Sequence, residues 1–384
     1  MQNFTYTNPT RIVFGRGSIA ELRNLVPPGK VLLTYGGGSI FANGVHRQVR
    51  EALSARTDVE VVEFGGIRPN PAYEHLMDAV RIARGGKIDF LLAVGGGSVV
   101  DGTKFIGAAA RYESGDPWEI LSRHAEVSSA VPLGAVLTLP ATGSESNGFA
   151  VISRDSTREK LAFGSEHCYP RFAILDPEVT FSLPKKQVRN GIVDAFAHVM
   201  EQYCTYPAAG ALQDRQAEAI LATLVEIGPK TLERPQDYDL RANFVWCATQ
   251  ALNGLIGCGV PQDWATHMIG HELTAFYGVD HAESLAIVLP TLLWHQRARK
   301  AEKLRQYGER VWGIRGDGDP AERAIAKTRE FFESLGVPTR LSAYGISPSD
   351  AAAKVGERFR ARGSRIGEDK CLGPEDVEKI LAAC

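Results

Sequence analysis

The sequence has few of the features that mark disulfide-rich, nucleic-acid-binding or membrane proteins. Its 384 residues include six scattered cysteines without a C-x-x-C pair, which argues against a disulfide framework and a thiolate zinc site. Lys and Arg number 43 and Asp and Glu 45, so no excess of positive charge favours nucleic acid or an anionic membrane as a partner. No apolar run reaches about 18 residues, and the first 15 residues do not resemble a signal peptide. These absences predict a cytoplasmic protein.

The composition is that of a globular protein long enough for two domains, with 44% hydrophobic and 23% charged residues. In residues 1–182, short apolar runs alternate with helical patterns, which predicts an α/β domain with a doubly wound, mainly parallel sheet. In residues 183–384, good helix formers dominate, which predicts an all-α second domain. The predicted strands are 31–34, 59–64, 89–94, 134–137 and 172–175, the predicted hairpin is 149–163, and the helical patterns of the first domain are 40–54, 71–84 and 98–110.

Two glycine-rich turns follow predicted strands. Gly95-Gly96-Gly97-Ser98 leads into a helix, and glycine lets the backbone approach a pyrophosphate at the helix N-terminus. The alternative is a plain turn with Ser98 as the helix N-cap. The second turn, 36–39, has no Asp or Glu close by to bind the ribose hydroxyls of NAD, so it favours NADP unless it faces away from any ligand. A polar segment at 138–147 suits phosphate or a carboxamide, or is an ordinary loop.

Carboxylate and histidine residues recur at helical spacing in the second domain. Asp194 and His198 lie four positions apart, as do His267 and His271, and His281 follows ten residues later in a turn. Residues four apart share one face of a helix, so two helices and a turn can bring together one carboxylate and three imidazoles. This donor set suits Zn²⁺ or Fe²⁺. The alternative is ordinary hydrogen bonding along each helix face.

These motifs together resemble the iron-containing, or group III, alcohol dehydrogenases over essentially the whole chain. The resemblance rests on the glycine turn 95–98 with Asp101 and on the two helical pairs, Asp194 with His198 and His267 with His271. Neither the turn alone nor the pairs alone would be specific for the family. Residues 64–71, 140–147 and 261–267 are most similar to the branch of NADPH-dependent aldehyde reductases and butanol dehydrogenases. Leu139-Pro140 and Ala282 depart from the pattern of much of the family but fit this branch.

The resemblance implies a role for particular residues. It implies that one Fe²⁺ or Zn²⁺ ion is bound by Asp194, His198, His267 and His281. His271 would lie beside the ion as the catalytic proton donor. An active site in a cleft between the two domains and a homodimer are also implied. The residues that would bind NADP(H) are Gly37, Gly38, Ser39, Asn70, Gly96, Gly97, Ser98, Asp101, Thr138, Thr142, Asn147 and Lys160.

We therefore expect an NADP(H)-dependent, metal-dependent alcohol dehydrogenase or aldehyde reductase that transfers a hydride between nicotinamide and a short- to medium-chain aldehyde or alcohol. The metal would polarise the carbonyl oxygen. His271 suits proton transfer because an unperturbed histidine has a pKa near neutrality; the alternative is a route through water and the cofactor ribose. The alternatives are a related dehydrogenase acting on glycerol or a phosphorylated polyol, a metallohydrolase, and a non-catalytic nucleotide-binding protein. The first is disfavoured because the sequence neighbours of the ligands, Gln262, Asp263 and Glu272, include no Lys or Arg.

Overall fold

The computed structural model describes the whole chain, Met1–Cys384, which divides into two compact units. An α/β unit comprises Thr7–Pro184 and Pro235–Thr249. A helix-rich unit comprises Met1–Tyr6, Lys185–Arg234 and Gln250–Cys384. The predicted boundary after residue 182 differs from this division in three segments: Met1–Tyr6 belongs to the helix-rich unit, and residues 183–184 and Pro235–Thr249 belong to the α/β unit. The domain bounds 1–182 and 183–384 stay a prediction.

A six-stranded parallel sheet forms the centre of the α/β unit, in the order β1-β8-β5-β4-β2-β3. The remaining two strands pair as the antiparallel hairpin that the sequence predicts. The strands are β1 Arg11–Phe14, β2 Gly29–Tyr35, β3 Val59–Phe64, β4 Phe90–Gly96, β5 Leu133–Leu139, β6 Phe149–Arg154, β7 Glu159–Gly164 and β8 Phe172–Leu175.

Helices bury both faces of this sheet, which explains why its strands read as continuous apolar runs. Leu91 of β4 packs into one hydrophobic cluster and its neighbour Leu92 into another, because successive side chains of a strand point to opposite faces. The helical pattern 40–54 is interrupted at Gly44, whose φ of 80° ends one helix before the next begins. The helices are α1 Leu22–Leu25, α2 Ser39–Ala42, α3 Val45–Ser54, α4 Tyr73–Gly85, α5 Gly97–Arg111 and α6 Glu119–Ser122, with 3₁₀ turns at Ser18–Glu21, Ser144–Ser146, Glu166–Cys168 and Pro177–Ser182.

The sheet has a topological switch point between β2 and β4. The chain leaves β2 for β3 on one side and leaves β4 for β5 on the other, while β2 and β4 lie next to each other. In open parallel sheets, ligands bind outside the carboxyl ends of the strands at such a point. The two glycine turns, 36–39 and 95–98, follow these two strands, so the fold brings both to the expected ligand edge.

The helix-rich unit contains the predicted metal ligands. None of the helices in the chain has the length and hydropathy that a membrane span requires. His281 is the first residue of a helix, so the prediction that it lies in a turn is wrong by one residue. The helices that complete the chain are α7 Lys185–Tyr203, α8 Ala211–Glu233, α9 Tyr238–Ala251 (largely part of the α/β unit), α10 Ala265–Tyr277, α11 His281–His295, α12 Ala301–Trp312, α13 Pro320–Ser334, α14 Pro348–Ala361 and α15 Pro374–Ala382, with 3₁₀ turns at Leu341–Tyr344 and Glu368–Lys370.

Candidate metal centre and cofactor site

Helix α7 carries the first predicted ligand pair on a buried face. Every residue from Gly191 to Tyr203 is buried, so Asp194 and His198 face protein and not solvent. The Nδ1 atom of His198 lies 3.8 Å from the Asp194 Oδ1 atom, as the four-residue spacing predicts. A buried carboxylate and a buried imidazole are stable only when hydrogen-bonded, paired or bound to a metal, which makes this pair a candidate for metal binding.

Helix α10 presents the second predicted pair. Asp263 accepts a hydrogen bond from the Ala265 N–H at 2.9 Å, which caps the start of the helix. Trp264, between them, has a φ of 64°, a left-handed conformation that is rare for a bulky residue and marks local strain. The Trp264 ring lies 5.3 Å from the His267 ring, edge to face. The strained turn therefore places an indole beside a predicted ligand.

Three of the four predicted ligands come together from three helices. One donor atom each from Asp194, His267 and His281 lies within 4.8 Å of the others. The Asp194 Oδ1 atom is 3.6 Å from His281 Nε2. The fourth predicted ligand, His198, lies beside this group, with its ring stacked on that of His267 at a centroid distance of 4.6 Å. The structure thus gathers all four residues, although the ligand roles stay a prediction.

The chemistry of the cluster fits a divalent metal ion. Its donors are one carboxylate and three imidazoles, which suit Zn²⁺ and Fe²⁺. Burial lowers the pKa of His198 to about 4, so its imidazole is neutral at pH 7 and offers a lone pair. Its Nδ1 atom is buried and has no hydrogen-bond partner. A buried polar atom without a partner calls for an explanation such as a bound ion.

His271 lies one helical turn beyond His267, at the side of the cluster. Its ring centroid is 5.4 Å from that of His281 and 6.4 Å from that of His267. It is only partly buried, unlike His267. The structure therefore brings the predicted proton donor to the cluster and leaves it partly accessible to solvent.

Sequence analysis missed Glu201, which contacts the cluster directly. Its carboxylate accepts hydrogen bonds from the backbone N–H groups of Thr266, at 2.6 Å, and His267, at 3.1 Å. A third, very short contact joins it to the His267 Nδ1 atom. Burial and the neighbouring Asp263 carboxylate raise the pKa of Glu201, whereas the two backbone donors lower it. The sequence feature that could have identified Glu201 is its position three residues after His198, which places it on the same face of α7.

A buried group of charges behind α10 was also missed. The Lys300 ammonium donates to the Cys204 carbonyl at 2.7 Å, to Asp263 at 2.8 Å and to Glu368 at 2.7 Å. None of the three charged side chains is more than 3% exposed. Because Asp263 also caps α10, this group supports the helix that carries His267.

Folding brings Lys and Arg side chains close to the cluster, although the sequence neighbours of the ligands include no Lys or Arg. Lys186 lies 2.7 Å from Asp280, the residue before His281, and Arg358 pairs with Glu272 on α10. Each of these cations already has a carboxylate partner. Lys and Arg are therefore absent from the neighbouring sequence but present in the folded surroundings of the cluster.

The two glycine turns at the switch point are built differently. A Cβ atom on Gly97 would lie 2.4 Å from the Thr142 hydroxyl, so packing alone requires glycine there. A Cβ atom on Gly37 or Gly38 would meet nothing within 4 Å, and the φ of Gly38 is −76°. Neither packing nor backbone conformation demands glycine at these two positions. Their small size, with Ser39 exposed beside them, keeps open the space that a 2′-phosphate needs.

Helix α5 begins as the pyrophosphate prediction requires. Its N-cap residue is Gly96, and no side chain caps the helix, so the alternative in which Ser98 is the N-cap is wrong. An uncapped N-terminus leaves backbone N–H groups for a phosphate.

Two predicted cofactor residues use their side chains inside the protein. The Asp101 carboxylate accepts from the Ser144 hydroxyl at 2.5 Å and from the Val151 N–H at 2.9 Å. The Asn147 Oδ1 atom accepts from Lys104 Nζ at 3.0 Å. These contacts fasten the polar segment 138–147 to α5, so both residues shape that segment; direct contact with the cofactor stays a prediction.

The remaining predicted cofactor residues lie near the same edge or in the hairpin. Asn70 follows β3 in a left-handed turn with a φ of 54°. Thr138 is the second-last residue of β5 and lies beside the glycine turn, since Gly96 pairs with Leu139. Thr142 accepts from the Ser144 N–H at 3.2 Å, and Lys160 is buried in β7 opposite Ser153. The carboxyl edge of the sheet therefore collects most of the set.

Sequence models of two parts of one family match the chain. Residues 9–177 match the iron-containing alcohol dehydrogenases, and residues 189–383 match the C-terminal part of the Fe-containing alcohol dehydrogenase family. The chain belongs to the iron-containing alcohol dehydrogenase family.

Particular relatives are similar over the full length. The chain is 58% identical over 388 residues to the NADPH-dependent aldehyde reductase YqhD of Escherichia coli, covering 100% of both chains. It is 42% identical to the probable NADH-dependent butanol dehydrogenase 1 of Bacillus subtilis, again covering 100% of both. The crystal structure of E. coli YqhD superposes with a TM-score of 0.97, covering 100% of this chain and 98% of that one at 55% identity. The predicted family, fold class and dehydrogenase assignment are confirmed.

Proposed function

We propose that this chain is a metal-dependent aldehyde reductase that uses NADPH and catalyses the reverse, alcohol-oxidising reaction as well. The observation that carries the proposal is the cluster of the buried Asp194 and His267 with the partly buried His281, and with His198 beside them. Such a donor set holds a divalent cation where a carbonyl oxygen can be polarised. Short- to medium-chain aldehydes are the proposed substrates, on the strength of the resemblance to the aldehyde reductase and butanol dehydrogenase branch.

The preference for NADPH over NADH rests on the turn after β2. Gly37, Gly38 and Ser39 are exposed and place no carboxylate beside the position of a 2′-phosphate. An acidic residue at this edge would favour the free ribose hydroxyls of NADH. The E. coli relative is named NADPH-dependent and the B. subtilis relative NADH-dependent, so family membership alone does not choose between them. The glycines and serine of the turn support NADPH.

Asp194, His198, His267 and His281 would hold Fe²⁺ or Zn²⁺. When both groups are bound, the metal supplies Lewis-acid polarisation of the carbonyl and the nicotinamide supplies the hydride. The burial of Asp194 and His267 excludes water from most of the cluster and strengthens its electrostatic interactions. The partly exposed His271 would donate the proton that the substrate oxygen needs and recover it from solvent.

The proposal is tested by following NADPH oxidation with butanal, with NADH in parallel. Fast turnover with NADPH, slow turnover with NADH, loss on chelation and recovery on metal addition are expected; the ion that restores activity identifies the metal. Turnover that survives complete metal removal would contradict metal dependence. Hydrolytic activity without cofactor binding would favour a metallohydrolase instead.

A cytoplasmic homodimer is the remaining part of the proposal, on the strength of the family resemblance and the sequence composition. Light scattering of the purified protein should give twice the chain mass. Cell fractionation should place the activity in the soluble fraction.

A further inference from the structure

Glu201 combines three contacts that all reach the first turn of α10. The residue lies on α7, one turn beyond His198, and its side chain is 2% exposed. Its Oε1 atom accepts from the Thr266 N–H, and its Oε2 atom accepts from the His267 N–H. The Oε2 atom also contacts the His267 Nδ1 atom. One carboxylate therefore holds both the backbone and the ring of a proposed metal ligand.

We propose that Glu201 is a positioning residue of the metal centre, which keeps the His267 proton on Nδ1 so that Nε2 is the metal donor. Both oxygens of Glu201 already accept from a backbone N–H, so the ring nitrogen that faces Oε2 is the donor of the third contact and carries a proton. A neutral imidazole carries one proton, which leaves the lone pair on Nε2. This inference rests on the proposed function, in which His267 binds the metal.

The geometry distinguishes this role from helix capping alone. Asp263 already caps α10 through the Ala265 N–H. A second cap would need only the Thr266 and His267 backbone contacts. The additional ring contact fixes the orientation of the imidazole as well as its tautomer. Carboxylate partners of this kind raise the basicity of a ligating histidine, and their loss commonly weakens metal affinity about 10–100-fold.

The protein offers a well-matched control. Glu218, on α8, is also a buried carboxylate; it accepts from Tyr203, Gln306 and Arg310. Glu201→Met and Glu218→Met each remove a buried acceptor of three hydrogen bonds and replace it with a chain of similar size. Only the first change removes the partner of His267. Glu201→Gln is the conservative variant, because its carbonyl oxygen can still accept from Nδ1.

The experiment has two readouts on the full chain. Long-range ¹H–¹⁵N spectra of ¹⁵N-histidine-labelled, metal-free protein report the tautomer of His267, assigned with His267→Asn. The affinity for Zn²⁺ is measured by competition with a chelator. His267 of the wild type should show only the Nδ1–H tautomer. In Glu201→Met it should show a mixture of the two tautomers, and Zn²⁺ should bind about 10–100-fold more weakly. Glu201→Gln should bind with intermediate affinity, and Glu218→Met should match the wild type in both readouts.

Several results would overturn the inference. An Nε2–H tautomer of His267 in the wild type would overturn it without any variant, even if Glu201→Met fails to fold. In Glu201→Met, a tautomer change without a loss of Zn²⁺ affinity, or a loss of affinity without a tautomer change, would also overturn it. Failure of the wild type to bind Zn²⁺ or Fe²⁺ stoichiometrically would instead refute the proposed metal centre itself, which separates the two claims.

Discussion

Replacing Lys300 with methionine should destabilise the helix-rich unit strongly. The ammonium is the shared cation of two buried carboxylates, Asp263 and Glu368, and none of the three side chains is more than 3% exposed. Removing one partner of a buried ion pair costs about 3–5 kcal/mol, because the charge left behind is not solvated. Lys300 has two such partners, so we expect a loss at the upper end of this range, about 5 kcal/mol, at pH 8. Urea unfolding followed by tryptophan fluorescence and circular dichroism measures it.

The pH dependence of this loss follows from Glu368. Burial and the nearby Asp263 carboxylate raise the pKa of Glu368 to about 7, while Lys300 lowers it. Without Lys300 the pKa must rise further, so above about pH 7 the folded variant keeps a proton on Glu368 that the folded wild type loses. The free energy of unfolding of the variant therefore falls relative to that of the wild type as pH rises above about 7. The deficit of Lys300→Met relative to wild type should be smaller at pH 5 than at pH 8.

Two variants control this prediction. Lys303→Met removes a lysine three residues further on, which pairs with the single carboxylate Asp214. Lys303→Met should lower the free energy of unfolding clearly less than Lys300→Met does. The double variant Lys300→Met/Glu368→Gln removes one of the two stranded charges and should recover part of the loss. A Lys300→Met protein within about 1 kcal/mol of wild type at pH 8 would refute the reasoning, since so small a loss is ordinary for a surface charge.

Three further predictions concern the proposed site. Asp194→Ala should leave less than about one tenth of the wild-type metal content by elemental analysis, because the only carboxylate of the proposed donor set is lost; stoichiometric metal in the folded variant would reject the ligand. His271→Ala should keep its metal but lower kcat about 10²–10⁴-fold if the residue is the proton donor, and near-normal turnover would exclude that role. Ser39→Asp should lower kcat/KM for NADPH and spare NADH, since two like charges about 4 Å apart repel by about 1–4 kcal/mol between bulk water and a protein surface. Equal effects on both cofactors would place the 2′-phosphate elsewhere.

Periodicity in the sequence predicts the sheet well because both of its faces are buried. The strand at Val59–Phe64 and the strand at Phe172–Leu175 match their predicted bounds. Four-residue strand β1 was missed, since a run of that length at a sheet edge carries little hydrophobic signal. The long helical pattern at 40–54 concealed a break, because only the positive φ of Gly44 reveals it.

In the candidate site, the contacts within one helix could be predicted from the sequence, and the contacts between distant residues could not. Asp194 with His198 and His267 with His271 were predicted because four-residue spacing is a property of one helix. The bond from Glu201 to His267 joins residues 66 positions apart, and no local pattern predicts it. Lys300 lies in a charged stretch that reads as solvated surface, yet tertiary packing buries it. Contacts of this kind depend on how helices pack and not on their own sequences.

The helices that carry the proposed ligands are joined by the protein's own contacts. Glu201 links α7 to the first turn of α10, and the Lys186–Asp280 ion pair links α7 to the turn before α11. Ile192 on α7, Ile269 on α10 and Leu285 on α11 are fully buried, so hydrophobic packing holds the helices together as well. In small zinc domains the metal supplies the folding energy, because the chain has no other core. Here the three helices have their own core, so we expect the protein to keep the proposed donor atoms close together after chelation and to regain activity when the metal is added back.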